Sequence, residues 1–271
     1  MEEKEIKERI QNGRNFMKTV MEVEGYSSDQ DLKEPQPPLC KEPMCTTSIP
    51  LTKDFSKLNI EQDFLKIING RSSHRVYTEE SMTLEELSYV LWCSQGVKDI
   101  RGKKYATLRT VPSGGARHAF ETYLAIKNVK GLPEGYYHYL PMSHSLECIE
   151  EISLNNFIGT SLSNQMWADK CAVCFYYSMV AYRAEWRYGI FSHRVALIDA
   201  GHVTENVYLA CESIGLGGCA VAALDGKFCD NKFKLDGNEE FIFYSMPIGH
   251  IKKENKQAED AFYAFVKEEN Y

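Results

Sequence analysis

The 271 residues carry 31 Lys and Arg against 38 Asp and Glu, a formal charge of 31 − 38 = −7, which argues against a general binder of nucleic acid or anionic membrane. With 44% hydrophobic and 25% charged residues, the composition is that of a folded globular chain of one large or two modest domains, and it excludes wholesale disorder, collagen-like repeats and disulfide miniproteins. The 16 Tyr and 13 Phe are a surplus that fits a broad core or a pocket lined with flat side chains, and composition does not choose between them.

The first 18 residues read as a charged helix, and residues 27–50 shift to Pro, Ser, Asp, Lys and Thr, the composition of an extended arm. The start has no apolar core of a signal peptide and no stretch reaches 18 uncharged apolar residues, so neither secretion nor membrane spanning is indicated. Nine cysteines, an odd number without framework spacing, read as reduced thiols and point to a cytoplasmic location. From Leu58 to Ile68 the apolar residues share one helical stripe that Asn69 and Gly70 stop. Thr83 and Glu86 form a capping box that opens a helix with Leu84, Leu87, Val90 and Leu91 on one face, ended by Gly96. Residues 120–128 alternate as a strand, Gly131 to Gly135 turn the chain, and residues 136–140 return, a hairpin.

Residues 171–180 and 240–246 are two further strands. In the first, Cys171 and Cys174 read as two packed cysteines rather than a zinc or dithiol pair, because no second pair lies nearby. Ser192 caps a long helix to Ile214 that Gly215 stops; Val195, Leu197, Ile198, Val203 and Val207 leave it little outward face, so it belongs at the centre or at a subunit interface. Ala258, Ala261, Phe262, Phe265 and Val266 mark an amphipathic C-terminal helix, and no repeat is visible.

The densest polar cluster is Arg-Ser-Ser-His-Arg-Val-Tyr at 71–77. Its two guanidinium forks and two hydroxyls suit a phosphate monoester, since Arg pairs bidentately with phosphate oxygens; a solvated basic turn fits the composition equally well. In Thr-Val-Pro-Ser-Gly-Gly-Ala-Arg-His at 110–118, Pro112 fixes the chain while Gly114 and Gly115 let backbone approach a flat ligand. This is neither a P-loop nor a dinucleotide fingerprint. Gly-Leu-Gly-Gly-Cys at 215–219 reads as a helix cap and turn or as a further approach to a ligand. Asp199, His202 and Glu205 are spaced i, i+3, i+6 without a fourth ligand, which favours packing or interface hydrogen bonds over a metal. His118 and His250 have no assigned role, and nothing marks a hydrolase nucleophile.

Together these segments resemble the nitroreductase superfamily of FMN-dependent oxidoreductases over residues 60–253. Residues 71–77 are similar to its opening R-R-S-x-R-x-[FY] signature, with Ser72 in place of the second Arg, and residues 112–115 look like its second flavin loop. Residues 193–210, Ile214 to Gly217, and the arm ending at Ile49, Pro50 and Leu51 resemble the SagB-type dehydrogenases, a branch whose members oxidise azoline rings in modified peptides. The resemblance implies an α+β fold, a nitroreductase-like sandwich of mostly antiparallel sheet flanked by helices, homodimeric, with an N-terminal helix and arm at 1–57 and an FMN-binding domain at 58–271. Carried over residue by residue, Arg71, Ser72, Ser73 and Arg75 would meet the phosphate, ribityl chain and pyrimidine edge. Pro112, Ser113, Gly114 and Gly115 would line the ring, Gly217 and Gly218 would approach its other portion, and Lys252 or Lys253 would complete the phosphate site.

NAD(P)H is a candidate electron donor, the substrate is a small molecule or a peptide, and the Pro-rich arm is expected to wrap the partner subunit. Azoline dehydrogenases carry a Lys-Tyr pair as acid and base, and the comparable place here reads Trp186, Arg187, Tyr188. An Arg stays protonated, so Arg187 orients or stabilises an anion and leaves proton transfer to Tyr188, with its phenol pKa lowered by Arg187; Tyr188 as an aromatic wall is the competing reading. The activity implied is hydride exchange at flavin N5, with a peptide azoline oxidase or a non-catalytic flavin-binding protein as the alternatives.

Overall fold

Helix α1 (Glu3–Met17) opens the chain and buries none of its residues in the computed structural model, which describes residues 3–18 and 23–251. The helix expected at 258–266, Lys252 and Lys253 lie outside the described residues. An irregular arm leads to β1 (Ile49–Pro50). Helix α2 (Phe64–Gly70) is shorter than its apolar stripe predicts because Asp63 caps it, accepting from the Lys66 amide, while the Glu61 amide is drawn to the Ser213 carbonyl. Helix α3 (Leu84–Gln95) begins on the predicted capping box, with Thr83 and Glu86 bonded reciprocally, a cap worth about 1 kcal/mol.

A separate hairpin follows, β2 (Val97–Arg101) and β3 (Ala106–Arg109). The meander β4 (Phe120–Ile126), β5 (Gly135–Leu140) and β6 (Ser145–Glu151) contains the predicted hairpin plus one strand the sequence pattern hides. Then come α4 (Phe157–Ser161), β7 (Val173–Val180), α5 (Ala181–Tyr188), α6 (Ser192–Ile214), β8 (Leu216–Gly218), α7 (Gly226–Phe233) and β9 (Glu240–His250).

Seven strands join in the order β1-β6-β5-β4-β7-β9-β8, every neighbouring pair antiparallel. Both faces are covered, which is why all seven residues of β4 are buried. On one face Leu87, Val90 and Leu91 of α3 and Val203 and Val207 of α6 share a core with Phe120, Leu124 and Phe175. On the other, α4 and α7 bring Phe157 and Phe233 onto Tyr123, Tyr136 and Tyr176, the Phe233 ring centroid lying 5.2, 5.3 and 5.1 Å from those three tyrosines. Much of the aromatic surplus is therefore core, and Cys171 and Cys174 are buried within the same cluster. The result is an α+β sandwich.

Ser192 is the first residue of α6 rather than its cap, because a helical turn at Gly189–Phe191 feeds directly into it; Gly215 ends it at φ +79° as expected. The arm packs along its own chain at several points. The Lys41 amide donates to Glu121 at 2.8 Å, the Cys45 amide to Glu147 at 2.7 Å, and β1 pairs with β6.

Candidate active site

The loop at Ser113–His118 holds three residues in the left-handed region, Gly115 at φ +55°, Ala116 at +52° and His118 at +46°. Such backbone persists only where its surroundings over-determine it, and here α6 does so. Asp199 accepts the Ser113 hydroxyl at 2.6 Å and the Gly114 amide at 3.0 Å, and the His118 amide donates to Ser113 Oγ at 2.9 Å. Burial raises the Asp199 carboxyl above the usual range, against the pull of these bonds. Its carboxylate is thus spent on the loop; His202 Nδ1 stands 3.9 Å away, and among the described residues no group of His, Cys, Asp or Glu is arranged to hold a metal.

The loop's glycines are filled by their own chain. A Cβ on Gly115 would lie 2.4 Å from Arg187 Cδ and 2.8 Å from the Tyr188 hydroxyl, and one on Gly114 would lie 2.4 Å from Val195. The last residues of α5, the candidate acid-base pair, therefore stand directly against the candidate ring-lining loop. Arg187 Nη1 donates to the Tyr105 hydroxyl at 2.7 Å and to Gln30 at 3.2 Å, with its guanidinium carbon 5.6 Å from the Tyr188 ring. Burial works against the Arg187 charge, but bonds to Tyr188 and Tyr105 keep its pKa above the ordinary value. For Tyr105 burial would raise the phenol, yet the Gln30 bond and the charges of Arg187 and Arg117 lower it. Tyr105 is hence a phenol that Arg187 holds directly, and sequence reasoning did not single it out. Beside Tyr188 opens a cleft of about 740 Å³ between Arg187, Tyr188 and Phe191 on one side and Tyr26, Ser28 and Asp31 of the arm on the other.

The phosphate-type segment packs further along α6. Arg71 ends α2 with its guanidinium 5.3 Å from the Tyr208 ring, and Ser73 Oγ meets the Tyr208 hydroxyl at 3.1 Å. Ser72 is exposed and bonds His74 Nε2 at 2.9 Å, while Arg75 lies 5.8 Å from the Trp167 ring. The His74 amide donates to the Gly218 carbonyl at 2.9 Å, so the segment runs along β8. Gly217 and Gly218 are buried in that strand. Cβ atoms there would come within 2.7 Å of Ile251 and 2.9 Å of Met246, so their missing side chains serve close packing within the chain.

Ser73 touches α6 at Tyr208 and Ser113 touches it at Asp199. Nine residues of helix separate the two groups by about 14 Å. Two cations and two hydroxyls lie within residues 71–75, and these are the donor types that suit the phosphate end of FMN. Of the two histidines without an assigned role, His118 ends the loop itself, buried and neutral, its pKa pushed down to about 2 chiefly by burial, and His250 lies 3.4 Å from Glu86, whose bond raises its pKa.

This sandwich and its loops match the Nitroreductase family over residues 68–250, and the chain belongs to that family. It is 32% identical over 197 residues to a protein of Methanocaldococcus jannaschii that bears the name nitroreductase, covering 72% of this chain and 93% of that one. It is 33% identical over 118 residues to the trifolitoxin-processing protein TfxB of Rhizobium leguminosarum bv. trifolii, and 26% identical over 133 residues to the microcin B17-processing protein McbC of Escherichia coli. Those matches cover 40% and 47% of this chain and only 30% and 49% of the two processing proteins. Among solved structures, a chain of the E. coli microcin synthetase McbBCD complex with truncated pro-MccB17 bound shares the fold at a TM-score of 0.56 and 17% identity, over 93% of this chain and 95% of that one.

Proposed function

We propose that this nitroreductase-family oxidoreductase uses FMN and acts as a SagB-type dehydrogenase on a ring carried by a peptide. The observation that carries the reading is the Tyr188 hydroxyl, with Arg187, set against the strained Ser113–His118 loop. When bound, FMN supplies hydride exchange at N5. Arg71, Ser72, Ser73 and Arg75 would hold the phosphate and ribityl end, with Lys252 or Lys253 completing it, and the backbone of Pro112, Ser113, Gly114 and Gly115 would line the ring end. Arg187, a permanent cation, orients the substrate and stabilises developing negative charge, and Tyr188 exchanges the proton at its hydroxyl.

The two processing relatives support a peptide substrate, and the nitroreductase name of the archaeal relative supports a small-molecule substrate, for which NAD(P)H is the candidate donor. Exposed Phe64 and Leu65 on α2 (65% and 67%) and Leu197 and Ile198 on α6 (51% and 54%) are apolar faces that a second copy of the chain would cover, in keeping with a homodimer whose 58–271 domain is completed by its twin. Among the described residues no helix is long and apolar enough to cross a membrane.

An absorbance scan of the purified protein tests the reading: flavin bands in the visible are expected, and a colourless protein would overturn it. Reduction of those bands by an azoline peptide, against reduction by NADPH with and without a nitroaromatic, separates the two substrate classes. The Tyr188→Phe variant should keep its FMN and slow the flavin half-reaction at least about tenfold; an unaltered rate sinks the role of Tyr188.

A further inference from the structure

The family match begins at residue 68, yet one wall of the cleft beside Tyr188 comes from residues 26–31, well before it. That wall is fastened along the whole of α5. The Tyr182 hydroxyl donates to Asp29 at 2.8 Å, the Gln30 amide to the Trp186 carbonyl at 2.8 Å, Trp186 Nε1 to the Glu34 carbonyl at 2.9 Å, and Arg187 Nη1 to Gln30 at 3.2 Å. Past the end of α5 the Ile190 amide donates to the Tyr26 hydroxyl at 3.2 Å, and the Tyr26 ring meets Phe191 edge-on at 6.5 Å. The segment also closes on itself, since Asp31 Oδ2 accepts the Ser28 amide at 3.1 Å and its hydroxyl at 2.7 Å. A stretch bound this way has a fixed shape, as a selective wall requires.

Its chemistry is specific. The cleft is lined by a guanidinium, Arg187, by two carboxylates, Asp31 and Glu24, and by the rings of Tyr26, Tyr188 and Phe191; of the two carboxylates Asp31 is the one that a local turn holds in place. Ser28 occupies Oδ2 of Asp31, so its second oxygen remains as an acceptor for an N–H. An amide offers a carbonyl to the cation and an N–H to the carboxylate, and a flat ring beside it stacks on the aromatic faces. A bare aromatic uses only the rings, and a quinone adds carbonyls for the cation but has no N–H for the carboxylate.

We propose that residues 26–31 are the specificity wall of the substrate cleft, with Gln30 and Asp31 as its determinants, and that they select a flat ring borne on an amide backbone over a free ring. The inference rests on Arg187 and Tyr188 marking the reacting end. Gln30 acts through Arg187, whose guanidinium it fixes, and is a positioning residue; Asp31 contacts the ligand.

Calorimetric titration of the protein as purified tests it, with a capped tripeptide carrying a central thiazoline as one probe and menadione as the other. The wild type binds the peptide; in Asp31→Asn the ratio of the peptide's Kd to that of menadione rises about tenfold, the loss of one hydrogen bond to a charged group, and in Gln30→Ala, which loosens the cation both ligands use, both Kd values rise. Asp31→Asn keeps an oxygen for Ser28 and so keeps the turn; melting curves of both variants confirm the fold, and Asp31→Asn decides alone where Gln30→Ala melts early. An unchanged ratio, or a wild type that does not take the peptide, overturns the proposal. Visible absorbance of the same samples reports separately on the flavin: a colourless protein sinks the flavin reading while the ratio still decides the wall.

Discussion

Gly189 is where the arm and the active-site helix meet most closely. Its φ is +46°, and a Cβ built there would fall 1.3 Å from the Tyr26 hydroxyl oxygen, so any side chain both strains the backbone and evicts Tyr26. Gly189→Ala should cost about 1–3 kcal/mol, read from urea unfolding, and should raise proteolytic cutting at residues 23–34; wild-type resistance to protease would show that Tyr26 does not tie the arm. At this scale the candidate site is half legible in the sequence. Residues 71–75 and 112–115 could be read because their chemistry is contiguous in the chain. Tyr105 and Gln30 could not, because they reach Arg187 across 82 and 157 residues and carry no local pattern. Asp199 left one trace, a carboxylate on a largely apolar helix that reads as a packing or interface hydrogen bond, and its partner, the glycine loop some 85 residues away, could not be read from the chain.

A buried cluster of charge fixes the arm against the sheet, and it also explains which elements the sequence concealed. Glu121 on β4 accepts Arg183 Nη2 at 2.7 Å and the Lys41 amide at 2.8 Å, while His138 bridges towards Glu147, its Nδ1 2.7 Å from that carboxylate. Burial alone would raise the Glu121 carboxyl, but Arg183, His138 and Arg109 hold it well below the usual range. Arg183→Met leaves this buried carboxylate without its cation and should cost about 3 kcal/mol by urea unfolding; a loss under about 1 kcal/mol would mean that Lys41 and His138 suffice. Because Glu147 points into the protein, β6 lacks the polar-out alternation of a half-buried strand and escapes pattern reading. Helix α5 is hidden for another reason: it leaves β7 at Val180 with no side-chain cap to announce it. By contrast α3 and the β4-β5 hairpin were legible because a capping box and a glycine turn mark their ends.

At the scale of the whole molecule, the sandwich class follows from long strands flanked by apolar helices, and its acid response follows from histidines the fold buries. Burial pushes His144 down to about 4 and His118 down to about 2, so both are neutral in the folded chain at neutral pH. An unfolded His titrates near about 6.5. Below that pH the unfolded chain takes up protons that these two native sites refuse, so the stability they contribute is complete above about pH 6.5 and is lost as the pH falls through 4 and on towards 2. His138, between Glu121 and Glu147, and His250, beside Glu86, are shifted the other way despite burial. Their contribution is complete below about pH 6.5 and is lost as the pH rises through their raised native values. The two pairs act on opposite sides of about pH 6.5 and so set a maximum there, while Glu121, Glu147 and Glu86, all held low against burial, add a further loss only below about pH 4.3, as the pH falls towards their native values. Urea midpoints should therefore be highest near neutrality and fall steadily from about pH 6.5 to 4.5, with a shallower fall in His144→Gln, which cannot take up the proton in either state. A midpoint that holds constant to about pH 4.5 would mean that His118 and His144 are not kept neutral by the fold.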